Sequence, residues 1–341
     1  MTAPPPPPAP AQSANRASPA SPANSANPAA HPAEAARSPT LGLWLGVLAM
    51  AMFGMTLPMT QLATGPASAP QLSPVFVTCA RAVVAAGLSA LWLLVTRAPR
   101  PQPGHWGPLA LAALGNAIAY PLLLALALRE SSSQHAAVIT ALAPLLTSVV
   151  AALVWRQRVA AGFWACAVAG CALVVAFSLW RSHQAGLGWT PSAADAGLAF
   201  GVLAASIGYV AGARVSAALG AEATICWVTL VALPVTLPGA LWALQAQPVP
   251  LAAVGWPAWV AFAYVSTCSM WSAFFAWYRA LAWGDAVRVS QVQLLQPFFA
   301  MAFAWPIHGQ PVAVQSLLFG AAVVATVWWG RRLSAPAAVG R

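Results

Sequence analysis

Residues 127–159 read ALRESSSQHAAVITALAPLLTSVVAALVWRQRV, and residues 280–312 read ALAWGDAVRVSQVQLLQPFFAMAFAWPIHGQPV. At a constant offset of 153 positions they share Ala127/Ala280, Leu128/Leu281, Pro144/Pro297, Ala151/Ala304, Gln157/Gln310 and Val159/Val312. The Pro and Gln matches fall at the same points of two apolar runs, so the runs read as copies of one unit. Each copy belongs to a half with five apolar runs. An odd number of crossings forces the second half to enter a membrane from the opposite face. The expected fold is an all-α integral membrane protein with ten transmembrane helices arranged as two inverted five-helix repeats.

Composition agrees. Of 341 residues, 60% are hydrophobic and 6% charged, whereas soluble domains carry about 25% charged residues. A bilayer core of about 30 Å needs about 20 helical residues. Runs of that size lie near 41–62, 74–96, 106–128, 135–155, 160–180, 194–216, 224–245, 256–278, 286–306 and 312–330. They lack the ten-residue dyads of a membrane β-barrel. Trp106, Trp155, Trp180, Trp189, Trp256, Trp283, Trp305, Trp328 and Trp329 fall near span ends, where an indole suits the headgroup layer. Trp44, Trp92, Trp271 and Trp277 read equally well as lipid-facing filler.

The halves are expected at 41–180 and 194–332. Residues 1–40, rich in Pro, Ala, Ser and Asn, have no core-forming pattern and are expected to be a disordered cytoplasmic tail with no signal-peptide h-region. Residues 333–341 are expected to form a second short tail. All 15 basic residues are Arg. With the N-terminus inside, Arg16, Arg37, Arg97, Arg100, Arg156, Arg158, Arg214, Arg279, Arg288, Arg331, Arg332 and Arg341 lie on the cytoplasmic side and only Arg129 and Arg181 outside. This bias predicts both termini in the cytoplasm and insertion in the cell (inner) membrane. The net charge of +10 therefore reports topology and attraction to anionic lipid rather than nucleic-acid binding.

AMFGMTLPMTQLA in the first span, PVFVTCARAVVAAGL in the second, and the stretches at 127–159 and 280–312 resemble the EamA branch of the drug/metabolite transporter (DMT) superfamily, over about residues 41–332. Gly54 follows Phe53 as the family's glycine follows tryptophan. Arg81 stands where the family's second span carries arginine, and Pro144 and Pro297 match its L-x-P. The resemblance implies a secondary transporter, with these prolines and Gly54 as candidate helix-break or gating positions. One departure is clear: the family's turn glutamates are Gln157 and Gln310 here.

The residues themselves point to a polar hollow between the halves. Arg81 lies seven residues into its span, roughly 10 Å deep at about 1.5 Å per residue. A membrane-embedded Arg must face a cavity, a partner or, by snorkelling, the interface. Two readings follow: an anion site with a bidentate guanidinium, or a structural Arg bonded to carbonyls. Ser290, Gln293, Gln296 and Pro297 share one helical face, with Gln291 turned away. Thr140 and Pro144 repeat the device in the first copy. The amides read as substrate contacts or as interhelical bonds. Pro297 is expected to free a carbonyl or kink the helix. Asn116 and Tyr120 join the candidates, with Thr56, Ser206, Tyr209, Tyr264, Ser266 and Ser269 as weaker ones. Gly54, Gly115, Gly170, Gly208 and Gly320 read as close-packing positions, and His135 and His308 as surface histidines.

The five acids, Glu34, Glu130, Asp195, Glu222 and Asp285, fall in the tail, in loops or at span starts, which argues against a midspan carboxylate relay. The five cysteines lack CxxC spacing, so no metal site is expected. Without Lys there is no Walker lysine or Schiff base, and no catalytic motif or cofactor signature is present. The expected function is a non-enzymatic carrier, by resemblance an exporter, of a small metabolite such as an amino acid or related anion, working by alternating access. The alternative is a non-transporting multi-pass protein, a receptor or assembly factor. Expected partners are the small-molecule substrate and lipid, with a proton as coupling ion and a homodimer left open.

Overall fold

The computed structural model describes residues 39–66, 68–130, 139–140, 142–156, 159–184, 193–308 and 314–333. Expectations about the tail up to residue 38, the segment 334–341, His135 and the turn positions Gln157 and Gln310 fall outside these residues.

Ten helical stretches make up the described chain, with no strand among them. α1 spans Pro39–Thr64 and α2 Pro74–Thr96. α3 is built in three consecutive pieces: Trp106–Ala112, a widened π-helical stretch Ala113–Ala119, and Tyr120–Glu130. α4 is Ala143–Val154, α5 Ala161–Gln184, α6 Ala193–Leu219 and α7 Ala221–Gln245. α8 repeats the three-piece form as Trp256–Tyr264, a π-helical Val265–Ser272 and Ala273–Trp283. α9 opens with Ala286–Val289, tightens into a 3-10 stretch Ser290–Leu295, and resumes as Gln296–His308; α10 is Val314–Leu333. α1, α2, α3, α6, α7 and α8 are each long and apolar enough to cross a membrane. α4, α5 and α10 hold shorter apolar helices, and α9 is interrupted by its 3-10 stretch.

Local chemistry explains the boundaries. Ser73 caps α2 by accepting the Phe76 N–H at 3.1 Å, and Pro74 follows in the first turn, where its missing N–H costs nothing. α1 likewise begins at Pro39, inside the segment expected to be tail. α6 and α7 are joined by Gly220 alone, at φ 85°, a left-handed conformation that glycine adopts without strain. Asp285, between α8 and α9, accepts the Val287 N–H at 3.2 Å. Glu130, expected in a loop, is instead the last residue of α3, because no Gly or Pro stops that helix earlier.

Hydrogen bonds between connections define one face of the bundle. The Ser73 N–H donates to Gln247 Oε1 at 2.9 Å and the Gly255 N–H to Gln71 Oε1 at 2.8 Å, tying the α1–α2 turn to the α7–α8 turn. At the opposite face, Arg279 near the end of α8 pairs with Glu222 at the start of α7 and stacks over Trp283, 5.2 Å from the ring centre. The half of the bundle toward that second face is solid. Leu109, Phe163, Ile225, Trp277, Tyr278 and Leu281 are all fully or almost fully buried in one core cluster. Trp277 is thus a core residue rather than lipid-facing filler. Its indole meets the Tyr209 ring edge-on at 5.5 Å, a contact that no spacing along one helix reveals. At Gly115 a Cβ would collide with the Ala204 carbonyl of α6, so only glycine lets α3 and α6 approach this closely.

Candidate functional site

The half of the bundle nearer the α1–α2 and α7–α8 turns is not solid. It holds a cavity of about 150 Å³, walled by α1 to α6, α8 and α9. By the size of a water site, that is room for roughly ten waters or one small metabolite. Arg81, Asn116, Tyr120, Thr140, Gln293, Gln296, Pro144, Pro297 and Gly54 all line it. Of the weaker candidates Thr56, Tyr209 and Ser269 line it as well, whereas Ser206, Tyr264 and Ser266 do not. Ser206 bonds to Val202 O and Thr147, Tyr264 to Met52 O, and Ser266 to Phe262 O. Apolar walls come from Phe53, Leu57, Val77, Leu124, Val174, Leu294 and Phe274.

Two interruptions shape this wall. Gln296 donates its N–H to the Gln293 carbonyl, closing a 3-10 turn immediately before Pro297. The carbonyl expected to be freed by that proline is therefore satisfied within α9. Three residues per turn set Ser290, Gln293 and Gln296 in one row, yet Ser290 is not on the cavity wall. It lies one turn nearer the solid half, where its hydroxyl is 2.7 Å from Ser148 Oγ and donates to Val287 O at 2.7 Å. Gln291, turned from the cavity as expected, donates its Nε2 to Ser148 Oγ at 2.7 Å. In α4 the α-helix begins at Ala143, with Pro144 in its first turn. Gly54 packs against this region of α9: a Cβ there would lie 2.6 Å from Phe299 Cβ and 3.1 Å from the Gln296 carbonyl.

The two π-helical stretches carry Asn116 and Ser269 to the cavity. Such widened turns occur often at functional sites, because they rotate side chains off the regular helical ladder. Asn116 is 3% exposed; its Nδ2 donates to the Tyr278 hydroxyl at 3.1 Å, and its Oδ1 has no partner among the described residues. Gly208 makes room for it, since a Cβ there would lie 2.8 Å from Asn116 Nδ2. Thr56 donates to Ser269 Oγ at 2.8 Å, joining α1 to α8 across the wall.

Among the described residues, Arg81 is the only charged one on the lining. Its Nε is buried without a hydrogen-bond partner, and among the described residues no carboxylate pairs with it; Tyr120 and Tyr209 are its electrostatic neighbours. Gln293 is 5% exposed, and its Nε2 is also buried without a partner. An unsatisfied buried donor costs about 1–3 kcal/mol, more when charged. Two such donors and one acceptor around one hollow are complementary to an anionic group that also carries a hydrogen-bond donor. Reading the sequence missed Thr60, Thr78 and Phe274 on the wall. Thr60 follows Thr56 by four residues and Thr78 precedes Arg81 by three, helical spacings that held the signal. Phe274 had no such signal.

The sequence profile of the EamA-like transporter family matches residues 40–189 and again 192–329. The chain belongs to the EamA-like transporter family. It is 34% identical over 292 residues to the uncharacterized transporter YdeK of Bacillus subtilis (strain 168), covering 85% of this chain and 97% of that protein. A protein of known crystal structure superposes with a TM-score of 0.70 at 18% identity, over 87% of this chain and 98% of its own, which establishes the likeness of fold. With its apolar helices, family membership makes the chain a multi-pass membrane transporter.

Proposed function

We propose that this EamA-like protein is a secondary carrier that exports a small organic metabolite bearing an anionic group, of about the size of an amino acid, from the cytoplasm. Substrate binds in the cavity, with Arg81 holding the anionic group, Gln293 and Asn116 completing its hydrogen bonds, and the aromatic wall taking its apolar body. The observation that carries this reading is Arg81, whose buried Nε has no partner and which lines a hollow holding no other charge among the described residues. A purely structural Arg would have spent its donors on carbonyls.

Alternating access runs between two inverted halves, 41–180 and 194–332, with both termini cytoplasmic in the inner membrane. Supporting the halves, Thr56 and Tyr209, Asn116 and Ser269, Pro121 and Phe274, Thr140 and Gln293, Ala143 and Gln296, and Pro144 and Pro297 all line the cavity, each pair separated by 153 positions. The π-helical stretches of α3 and α8 stand at nearly the same offset. The arginine bias supports the orientation, and places the α1–α2 and α7–α8 turns outside. The cavity then opens toward the exterior, and rocking the halves would unpack the solid cytoplasmic half while sealing the outer one.

A solute screen in proteoliposomes tests the reading. Arg81→Ala is expected to cut flux of the transported solute at least tenfold, with Arg81→Lys retaining part of it because the charge remains but the fork is lost. Normal flux through both variants, folded and inserted like the wild type, would remove the cavity as the substrate site.

A further inference from the structure

We propose that the cargo crosses as a net monoanion without a compensating proton, so that the membrane potential alone drives export. This rests on Arg81 being the substrate's anchor.

Charge placement carries the argument. Among the described residues, the lining holds one cation and no acid, histidine or cysteine. The hydroxyl groups that share the lining with Arg81 are those of Tyr120 from α3 and Tyr209 from α6, with Thr56 and Thr60 of α1, Thr78 of α2, Thr140 just before α4 and Ser269 of α8. All are neutral near pH 7. The acids with described side chains sit elsewhere. Asp195 is in the first turn of α6, Glu222 is paired with Arg279, and Asp285 caps α9 and lies 3.7 Å from Arg288. Among the described residues, no group on the wall can therefore exchange a proton for the cargo in the physiological range.

The same wall selects for charge. A carboxylate is matched by the guanidinium and by the Gln293 amide. Among the described lining residues an ammonium group would meet no carboxylate, only neutral acceptors such as Asn116 Oδ1 and ring faces, and a charge removed from water without an opposite charge is costly. A neutral hydroxyl or amide N–H satisfies Asn116 Oδ1 without that cost. The cargo class is thus a monocarboxylate with an apolar body and a neutral donor, rather than a zwitterion.

The cycle then moves charge. The loaded site, guanidinium plus carboxylate, is neutral, while the empty site returns with its positive charge. An inside-negative potential draws the empty cationic site back toward the cytoplasm, and the net result per turn is one negative charge carried out. At 100 mV one elementary charge is worth about 2.3 kcal/mol, an accumulation ratio of about 50-fold.

The test uses the full chain in proteoliposomes with potassium diffusion potentials and two charge series of constant skeleton. These are 3-phenyllactate, phenylalanine and phenylalaninamide, and 2-hydroxy-4-methylpentanoate, leucine and leucinamide. The expected result is that a hydroxy acid moves and accumulates on the positive side, toward about 50-fold at 100 mV. A pH gradient imposed at zero potential should have no effect. Preference for the zwitterions, or flux that follows the pH gradient with the potential clamped at zero, overturns the proposal. If such flux is still abolished by Arg81→Ala, the site assignment survives and only the charge inference falls. Flux that ignores Arg81→Ala, or no movement of any probe, removes both.

Discussion

Gln291 and Gln293 stand two residues apart on one 3-10 stretch, both almost fully buried, and they have opposite fates. Gln291 faces the solid half and gives its Nε2 to Ser148. Gln293 faces the cavity with its Nε2 unpartnered. The contrast extends to the two regions they represent. In the solid half, hydroxyls and charges are joined to one another, Thr229 to Ser89 at 2.9 Å, Ser290 to Ser148 at 2.7 Å and Glu222 to Arg279, while the buried indole N–H groups of Trp227 and Trp277 have no partner among the described residues. Around the cavity, Arg81 Nε, Asn116 Oδ1 and Gln293 Nε2 lack partners among the described residues. In an apolar solvent a polar side chain is retained for one of two reasons: it bonds helices together, or it waits for something that binds. The partner, more than the residue type, separates these cases.

Substitutions on either side of that divide should behave differently. Ser148→Ala, the largest expected effect on stability, strands the Gln291 amide and removes the Ser290 bond. It should cost about 1–3 kcal/mol, seen as a lower unfolding temperature in detergent, while affinity for the transported solute stays within about twofold. A tenfold loss of affinity at unchanged stability would break the division. Gln293→Leu should do the reverse. Loss of one hydrogen bond, about 1 kcal/mol, weakens solute binding about fivefold, and stability holds or rises because a buried unpaired amide has been removed. A drop in stability without a binding defect would move Gln293 to the structural side. The smallest effect is expected for Glu222→Gln. With side-chain exposures of 39% for Arg279 and 23% for Glu222, that ion pair is well solvated, and its loss should shift stability by less than about 1 kcal/mol, less again in high salt. A larger shift would show that the ion pair locks the cytoplasmic end.

Much of the site could be read from the chain because its signals are local. Pro144 and Pro297 announce helix restarts, and the structure places α-helix starts at Ala143 and Gln296. Arg81 and the amides stand out against an apolar background. What escaped notice depends on depth or on neighbours. Ser290 shares a row with Gln293 yet sits one 3-10 turn, about 6 Å, below it, which is enough to move it from hollow to core. Trp277 looked like a lipid-facing residue because its burial is supplied by α6 and the rest of the core.

The amino-acid sequence on its own determined the helices, their apolar lengths, the prolines within them and the arginine set deep in the second span. These follow from hydrophobic periodicity and backbone chemistry, which act over a turn or two. Tertiary structure decided which polar groups are spoken for. The partner of Gln291 stands 143 residues away on another helix, and that Arg81 Nε and Gln293 Nε2 have no such partner among the described residues becomes visible only when the helices surrounding them have packed.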